Sequence, residues 1–141
     1  MASRGVYIDH LRSVALFAGL SKKELERVAA AGSEVDVAAG KVVMEQGHSG
    51  GDAFVVLKGT FVVRRNGRKL AVLSAGDIFG ELALLDDGPR SATVECASNG
   101  SVLAISHGQF RAVLDDIPVL SHKLLAAMAG RIRNLDRTVL G

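Results

Sequence analysis

Short apolar runs rich in β-branched residues, separated by glycines, fill the chain between Glu34 and Ser106. Runs of this length, each followed by turn residues, are typical of strands in an antiparallel roll or barrel. Asn66-Gly67 lies between two such runs and predicts a hairpin turn, because both residue types tolerate positive φ. The predicted strands are Val35–Val37, Lys41–Met44, Phe54–Leu57, Phe61–Val63, Leu70–Leu73, Ala92–Val94 and Val102–Ile105.

A helical pattern precedes this β region. Apolar residues group ahead of Ser21, and Glu24 follows three positions later, which is the spacing of a capping box. Apolar positions then recur at helical spacing as far as Gly32, which is expected to end the element. The sequence therefore predicts a helix over residues 22–31, within an N-terminal helical region at residues 1–33 that supports the fold.

The helical pattern returns after His107. It predicts one helix over residues 107–115 and, beyond Pro118, a longer one over residues 119–139, here called the closing helix. The apolar positions of the closing helix step by three and four residues and form one stripe, which indicates packing against another surface. The stripe consists of Leu125, Met128, Ile132, Leu135 and Val139.

Segment 79–94 carries the candidate chemistry. Gly80 lets the backbone approach a ligand closely, and the apolar run after it can form a short helical turn whose first N–H groups attract a phosphate. Arg90 follows a Gly-Pro bend and can donate to two phosphate oxygens as a fork. The Glu81 carboxylate would repel a phosphate, so its presence is unfavourable unless it accepts a hydrogen bond from a hydroxyl of the same ligand. The segment therefore predicts a site for a small anion that carries hydroxyl groups. The alternative is a surface ion pair of Glu81 and Arg90 beside a turn.

The order Phe-Gly-Glu-Leu-Ala-Leu at residues 79–84, followed after a short spacer by Pro-Arg-Ser-Ala at residues 89–92, closely resembles the phosphate-binding cassette of the cyclic nucleotide-binding domain family. Segment 79–94 is called the cassette below. The resemblance covers nearly the whole chain and implies a single mainly-β domain at residues 1–141. Its expected fold is an eight-stranded antiparallel β-roll (jelly-roll-like) over residues 34–106, flanked by the N-terminal helices and by a C-terminal helical lid at residues 107–140.

The resemblance also implies roles by position. Glu81 would accept the ribose 2′-hydroxyl, and Arg90 would neutralise the cyclic phosphate. Ser91 would add a hydroxyl contact, and the amides of Leu82 and Ala92 would donate to the phosphate or ribose. The predicted ligand-binding set within the cassette is Gly80, Glu81, Leu82, Ala83, Arg90, Ser91 and Ala92.

Base selection is expected to depend on Ser91 and on the closing helix. The resemblance associates threonine at the position of Ser91 with cGMP, and alanine or serine with cAMP, so cAMP is favoured and cGMP is the alternative. Leu135 and Asp136 align with a hydroxyl-bearing pair that contacts adenine in some relatives, and Asp136 can still accept an adenine N6 proton. Arg131 either reaches Glu81 or the base, or lies on a solvated helix face. Candidates for the apolar wall beside the base, which core packing explains as well, are Val72, Leu73 and Leu82.

Composition agrees with one ordinary globular domain, since 48% of the 141 residues are hydrophobic and 23% are charged. The formal net charge is only +2, and neither a Lys/Arg block nor an alternation of basic with aromatic residues is recognised that would mark a nucleic-acid face. Apolar runs are shorter than the ~20 residues that span a bilayer, and no signal peptide is recognised, so a cytoplasmic protein without membrane contact is predicted. The single cysteine, Cys96, is expected to be a packed core thiol.

Other functional classes fit less well. The cupins share a double-stranded β-roll, but the four histidines of this chain are far apart, so no metal and no cofactor are predicted. No Ser-His-Asp or Cys-His arrangement is recognised, so the chain is not expected to be an enzyme. The loop Gly47–Asp52 is rich in glycine but lacks a following Gly-Lys-Ser/Thr, so a plain turn is expected. The stronger alternative is an interaction or dimerisation module that needs no ligand.

The expected function is therefore that of a cyclic nucleotide sensor. Binding would shift the closing helix and change the surface it offers to an unidentified downstream protein. In the family the matching helix both covers the base and often pairs with its twin, so a homodimer through the apolar stripe is expected. No DNA-binding domain is expected in a chain that ends at residue 141, which would be a stand-alone sensor or a part of a larger protein.

Overall fold

Helices pack around a roll of short strands in the computed structural model, which describes residues 4–81, 88–126 and 129–130. The helices are α1 Arg4–Arg12, a 3₁₀ helix Ala15–Phe17, α2 Lys22–Ala30 and α3 His107–Asp116. The strands are β1 Gly32–Val37, β2 Val42–Met44, β3 Ala53–Lys58, β4 Phe61–Arg65, β5 Arg68–Leu73, β6 Ile78–Phe79, β7 Thr93–Cys96 and β8 Gly100–Ile105. This confirms the predicted mainly-β fold with flanking helices.

The strands form two four-stranded sheets with the orders β1-β8-β3-β6 and β2-β7-β4-β5. Neighbouring strands are antiparallel throughout, so residues far apart in sequence lie opposite each other. In the first sheet Val55 lies opposite Leu103, and in the second Val63 lies opposite Val94. The roll is therefore held by long-range strand pairs, with the β4–β5 hairpin as a local element.

The core divides into two layers because β3 is buried on both faces. Alternate β3 residues, such as Val55 and Val56, point to opposite sides of the sheet. One side packs under the helices, with Phe17 and Phe110 at its centre. The other side faces the second sheet, where Phe79 stacks on Phe54 with ring centroids 4.9 Å apart. Phe79 directly precedes Gly80, so the start of the cassette is anchored in this second layer.

The start of α2 is as the sequence predicted. The Ser21 side chain accepts from the Glu24 amide, and the Glu24 carboxylate accepts from the Ser21 amide, which completes a capping box. The helix ends directly before Gly32 as predicted, with Ala31 as its C-cap, but Gly32 does not adopt the left-handed conformation of a capping glycine. Helix α2 ends at Ala30, and Gly32 is already the first residue of β1. A Cβ on Gly32 would lie 2.8 Å from the Leu103 side chain, so this glycine permits close strand packing rather than a helix end.

The predicted hairpin turn is confirmed, since Asn66 has φ 52° and Gly67 has φ 78° between β4 and β5. Positive φ at both central residues is the geometry that Asn-Gly favours and that matches the twist of the strands. Cys96 is fully buried between the sheets, as expected for a core thiol.

Strand boundaries differ modestly from the predictions, and one strand was missed. β1 begins three residues before the predicted Val35, and β5 begins two residues before the predicted Leu70. β6 comprises only Ile78 and Phe79, which is too short to give an alternating pattern. Of the closing helix, residues 118–126 and 129–130 are described and are helical, while residues 127–128 and 131–139 lie outside the described residues.

Candidate functional site

Arg90 is the centre of the candidate site. Its Nη1 donates to the Gly80 carbonyl at 3.1 Å, and its Nη2 donates to the Asp52 carbonyl at 2.8 Å. Backbone pairing fixes its position, because the Arg90 amide donates to the His48 carbonyl and the Gly47 amide donates to the Arg90 carbonyl. These contacts join the end of the cassette both to the loop Gly47–Asp52 and to the start of the cassette at Gly80.

Arg90 is partly buried, and this changes its electrostatics. Burial lowers the pKa of the guanidinium, and the nearby Asp52 carboxylate raises it by a smaller amount. An arginine remains charged under such a shift. The lowered pKa therefore indicates that the charged guanidinium has lost part of its hydration, and not that it loses its proton. A bound anion would offset that cost by supplying charged acceptors at short range.

Gly80 is required by the geometry of the cassette start. Its φ is +81°, and a Cβ there would lie 2.8 Å from the Asp52 carbonyl oxygen and 3.1 Å from Arg90 Nη1. The left-handed conformation and the lack of space both exclude a side chain. The close approach seen at Gly80 is to the protein's own loop, and the predicted approach of this backbone to a ligand stays a prediction.

The loop Gly47–Asp52 is a part of the site that the sequence did not indicate. A Cβ on Gly50 would lie 2.9 Å from Arg90 Nε, so this glycine leaves room for the guanidinium. Together with Val42–Glu45 and Phe54, the loop and Arg90 line a cavity of about 430 Å³. That size lies within the range of roughly 300–1,000 Å³ usual for small-molecule sites. The sequence predicts only a plain turn here, because the proximity of the loop to Arg90 depends on backbone contacts that leave no sequence motif.

Glu81 is only 2% exposed. Its side chain faces a second cavity of about 440 Å³, which lies between the 3₁₀ helix, the turn before β6 and the closing helix. Apolar residues form much of the wall, and Lys123 and Asp77 add charged groups. Lys123 also donates through Nζ to the Ala18 carbonyl and so ties the closing helix to the end of the 3₁₀ helix.

The structure therefore places Glu81 and Arg90 on adjacent parts of the cassette but at different cavities. Arg90 contacts the backbone of Gly80, the residue before Glu81. Within residues 4–81 and 88–126, neither cavity is lined by both side chains. The convergence of Glu81 and Arg90 on one ligand stays a prediction, because residues 82–87 between them lie outside the described residues.

The other predicted site residues are distributed as follows. Ser91 is exposed and accepts from Arg65 Nε through its carbonyl at 2.9 Å, whereas Ala92 is buried in the second core layer. Leu73 lines the Glu81 cavity, and Val72 is 50% exposed on β5, opposite Val62. The predicted site residues that lie outside the described residues are Leu82, Ala83, Arg131, Leu135 and Asp136.

No group of three or more His, Cys, Asp or Glu side chains in the described part of the chain is arranged to hold a metal ion. No described helix combines the length and apolarity needed to cross a membrane.

Comparisons with known proteins agree on one family. The family model for the cyclic nucleotide-binding domain matches residues 34–116, which include the described parts of the cassette and the loop Gly47–Asp52. The Cyclic AMP receptor protein of Thermus thermophilus is 31% identical over 126 residues, covering 86% of this chain and 58% of the relative. The cAMP-dependent protein kinase type II regulatory subunit of Drosophila melanogaster is 32% identical over 111 residues, covering 79% of this chain and 29% of the relative.

Among solved structures, that of Thermus thermophilus Catabolite Activator Protein matches with a TM-score of 0.84 and 31% identity, covering 88% of this chain and 61% of that chain. This chain thus spans little more than half of the receptor protein and less than a third of the kinase subunit.

Proposed function

This chain belongs to the cyclic nucleotide-binding domain family, and from that membership we propose that it binds cAMP as a non-catalytic regulatory domain. The observation that carries the proposal is the placement of Arg90. Its guanidinium is partly desolvated, is aimed by two backbone carbonyls and lines a cavity of suitable size. This arrangement suits a small anion such as a cyclic phosphate.

In the proposed complex Arg90 holds the cyclic phosphate. The two hydrogen bonds to the Gly80 and Asp52 carbonyls use two of the five N–H donors of the guanidinium, so others can face a phosphate. Ser91 directly follows Arg90, and its exposed side chain can add a hydroxyl contact. The amides of Leu82 and Ala92 are proposed as further donors to the phosphate or ribose.

Glu81 is proposed to accept the ribose 2′-hydroxyl. A buried carboxylate that pairs with this hydroxyl rejects an analogue lacking it, because the acceptor would lose its partner in the complex. Since Glu81 faces the cavity beneath the closing helix, we infer that ligand binding draws Glu81 towards the Arg90 side of the cassette.

This movement would connect binding to the closing helix. The cavity that contains Glu81 is also lined by Lys123, Leu124 and Ala126, so a shift of Glu81 changes the surface on which the closing helix rests. The Lys123–Ala18 hydrogen bond stabilises the present arrangement. A switch of this kind requires that cAMP bind one arrangement more tightly than the other, and the altered helix surface would then be recognised by a downstream protein.

The preference for cAMP over cGMP rests on Ser91 and on the relatives. The names of the two curated relatives refer to cAMP. Serine at position 91 keeps a hydroxyl but lacks the methyl group of threonine, and the family resemblance associates threonine at this position with cGMP and alanine or serine with cAMP. Leu135, Asp136 and Arg131 are proposed to approach the base from the closing helix, and Leu73 and Val72 are proposed for its apolar wall.

A calorimetric titration of the purified chain tests this function directly. We expect saturable heat with cAMP, weaker binding of cGMP, and binding of 2′-deoxy-cAMP that is weaker by between about fivefold and a hundredfold, as follows from about 1–3 kcal/mol for an acceptor left unpaired. Binding that is equal for cAMP and its 2′-deoxy analogue would refute the role of Glu81. No heat and no thermal shift with any nucleotide would leave the ligand-independent interaction module as the function of this fold.

We also propose a homodimer through the closing helix. Leu125 is 60% exposed and Val119 is 47% exposed, so the described part of this helix offers an apolar surface outwards. Replacing Leu125 with aspartate is expected to convert a dimer to a monomer in sedimentation velocity, because the charge would have to be buried in the interface. Leu70→Asp, at a leucine on β5 that is also more than half exposed, is the control and should leave the dimer intact. A wild-type chain that sediments as a monomer at all accessible concentrations contradicts the proposal.

A further inference from the structure

The tip of the β4–β5 hairpin gathers positive charge. Four of the six residues at positions 64–69 are basic, namely Arg64, Arg65, Arg68 and Lys69, and the other two form the Asn-Gly turn. The pairing register sets Arg65 opposite Arg68 and Arg64 opposite Lys69. Successive cross-strand pairs point to opposite faces of the ribbon, so each face of the tip carries one pair of like charges.

Like charges directly opposite each other destabilise a strand pair. Among the described residues, the ion pairs are Arg27–Asp116 and the exposed contact between His48 and Glu45, and neither involves the hairpin. The four cations at the tip therefore have no carboxylate partner within this part of the chain. The prediction that the chain has no Lys/Arg block is wrong at positions 64–69, where the low net charge of +2 gives no sign of the cluster.

An apolar side chain lies beside the charges. The register shifts between Val63 and Arg64, which leaves Leu70 as the extra residue of a bulge on β5. Leu70 is 52% exposed, and β5 is the outer strand of its sheet. The tip thus combines four cationic side chains, three of them arginines, with one exposed apolar side chain.

Hydrogen bonds attach this tip to the end of the cassette. Arg65 Nε donates to the Ser91 carbonyl at 2.9 Å. Gln46 bonds both the side chain and the amide of Asn66 at 2.9 Å, and its own amide donates to Thr93 Oγ1 at 3.0 Å. A displacement of the tip is therefore transmitted through these hydrogen bonds to the residues that follow Arg90.

The geometry points to this hairpin tip, residues Arg64–Leu70, as a docking surface for an acidic segment of a partner protein that also carries an apolar side chain. An arginine guanidinium can donate two parallel hydrogen bonds to the two oxygens of one carboxylate. An acidic partner would therefore also reduce the repulsion between the facing cations. Nucleic acid fits less well, since four cations make few phosphate contacts and Leu70 would stay unmatched. A membrane fits less well too, because the polar Asn66-Gly67 turn forms the apex and holds Leu70 away from the acyl chains.

Fluorescence anisotropy tests the inference with a labelled short peptide in which carboxylates flank two leucines. The titration contains no nucleotide, so its outcome is independent of the proposed cAMP binding. We expect saturable binding that weakens as salt is added. The double variant Arg68→Glu/Lys69→Glu should weaken binding at least tenfold. It should not lower the thermal midpoint, because it replaces both like-charge pairs with opposite-charge pairs.

The matched control is Lys22→Glu/Lys23→Glu, which makes the same change in net charge at two exposed residues of α2. It should alter peptide affinity less than twofold. Equal losses in the two variants would overturn the inference, since general charge would then explain binding. So would no binding by the wild-type chain, equal binding of a peptide with amides in place of carboxylates, or tighter binding of a DNA duplex or of vesicles containing phosphatidylserine.

Discussion

Replacing Arg90 with alanine is expected to weaken cAMP binding by between about tenfold and a hundredfold. The estimate follows from the roughly 1.5–3 kcal/mol of a hydrogen bond to a charged group. The structure adds a reason for a loss near the upper end, because Arg90 also bonds the carbonyls of Gly80 and Asp52. Without the guanidinium, the start of the cassette and the loop lose their common donor, and the phosphate site loses its shape as well as its charge.

Calorimetry of Arg90→Ala, Arg90→Lys and wild type with cAMP distinguishes these contributions. Lysine keeps the charge but cannot donate as a fork, so an intermediate affinity is expected. Arg111→Ala removes an exposed arginine from α3 and serves as the control, with wild-type affinity. If Arg90→Ala retains wild-type affinity while the chain still binds cAMP, the phosphate is held elsewhere and the proposed site is wrong.

Replacing Gly80 with alanine should have the second large effect. An alanine at φ +81° carries a backbone strain of about 1–2 kcal/mol, and its Cβ would lie 2.8 Å from the Asp52 carbonyl oxygen. The neighbour in this contact is backbone, so relief requires the loop Gly47–Asp52 or the cassette to move. We expect a loss of more than about 2 kcal/mol in the free energy of unfolding, and at least a tenfold loss of cAMP affinity because Arg90 is displaced.

Gly67→Ala supplies a matched control for Gly80→Ala. Gly67 has φ +78°, close to that of Gly80, but no heavy atom lies within 4 Å of the Cβ position. This control should cost only the conformational strain and should leave cAMP affinity unchanged. Urea denaturation gives the free energy of unfolding of each variant. The difference between the two losses is the cost of the steric contact at Gly80 beyond the conformational strain. Equal losses of stability, with cAMP affinity retained in both, would contradict the role assigned to that approach.

The sequence predicted the fold well where a local signal matches a local structure. The capping box at Ser21 and the Asn66-Gly67 hairpin are correct because a few adjacent side chains determine each of them. The local sequence pattern was a poor guide where packing between residues far apart in sequence determines the role of a residue. Gly32 has the sequence context of a helix end, yet its lack of a side chain serves the contact with Leu103 on β8.

For the site, the cassette motif located Arg90 and Gly80, because its chemistry needs particular residue types in order. It did not reveal the loop Gly47–Asp52, which contributes a carbonyl from Asp52 and empty space at Gly50. A backbone carbonyl belongs to every residue type, so no sequence pattern marks it. Nor did the motif indicate that Glu81 lines a cavity together with Lys123 and Leu124, because those residues are far from Glu81 in sequence.

The strand order β1-β8-β3-β6 has a consequence for how this chain acquires its structure during synthesis. β8 lies between β1 and β3, although it is the last strand of the roll to leave the ribosome. Until residues 100–105 emerge, the apolar strand Ala53–Lys58 lacks its main partner and remains open to aggregation or to chaperones. Folding that waits for such distant pairings is slow, on the order of milliseconds to seconds. A nascent chain stalled before residue 100 is therefore expected to be sensitive to protease, and to become resistant only after β8 is released.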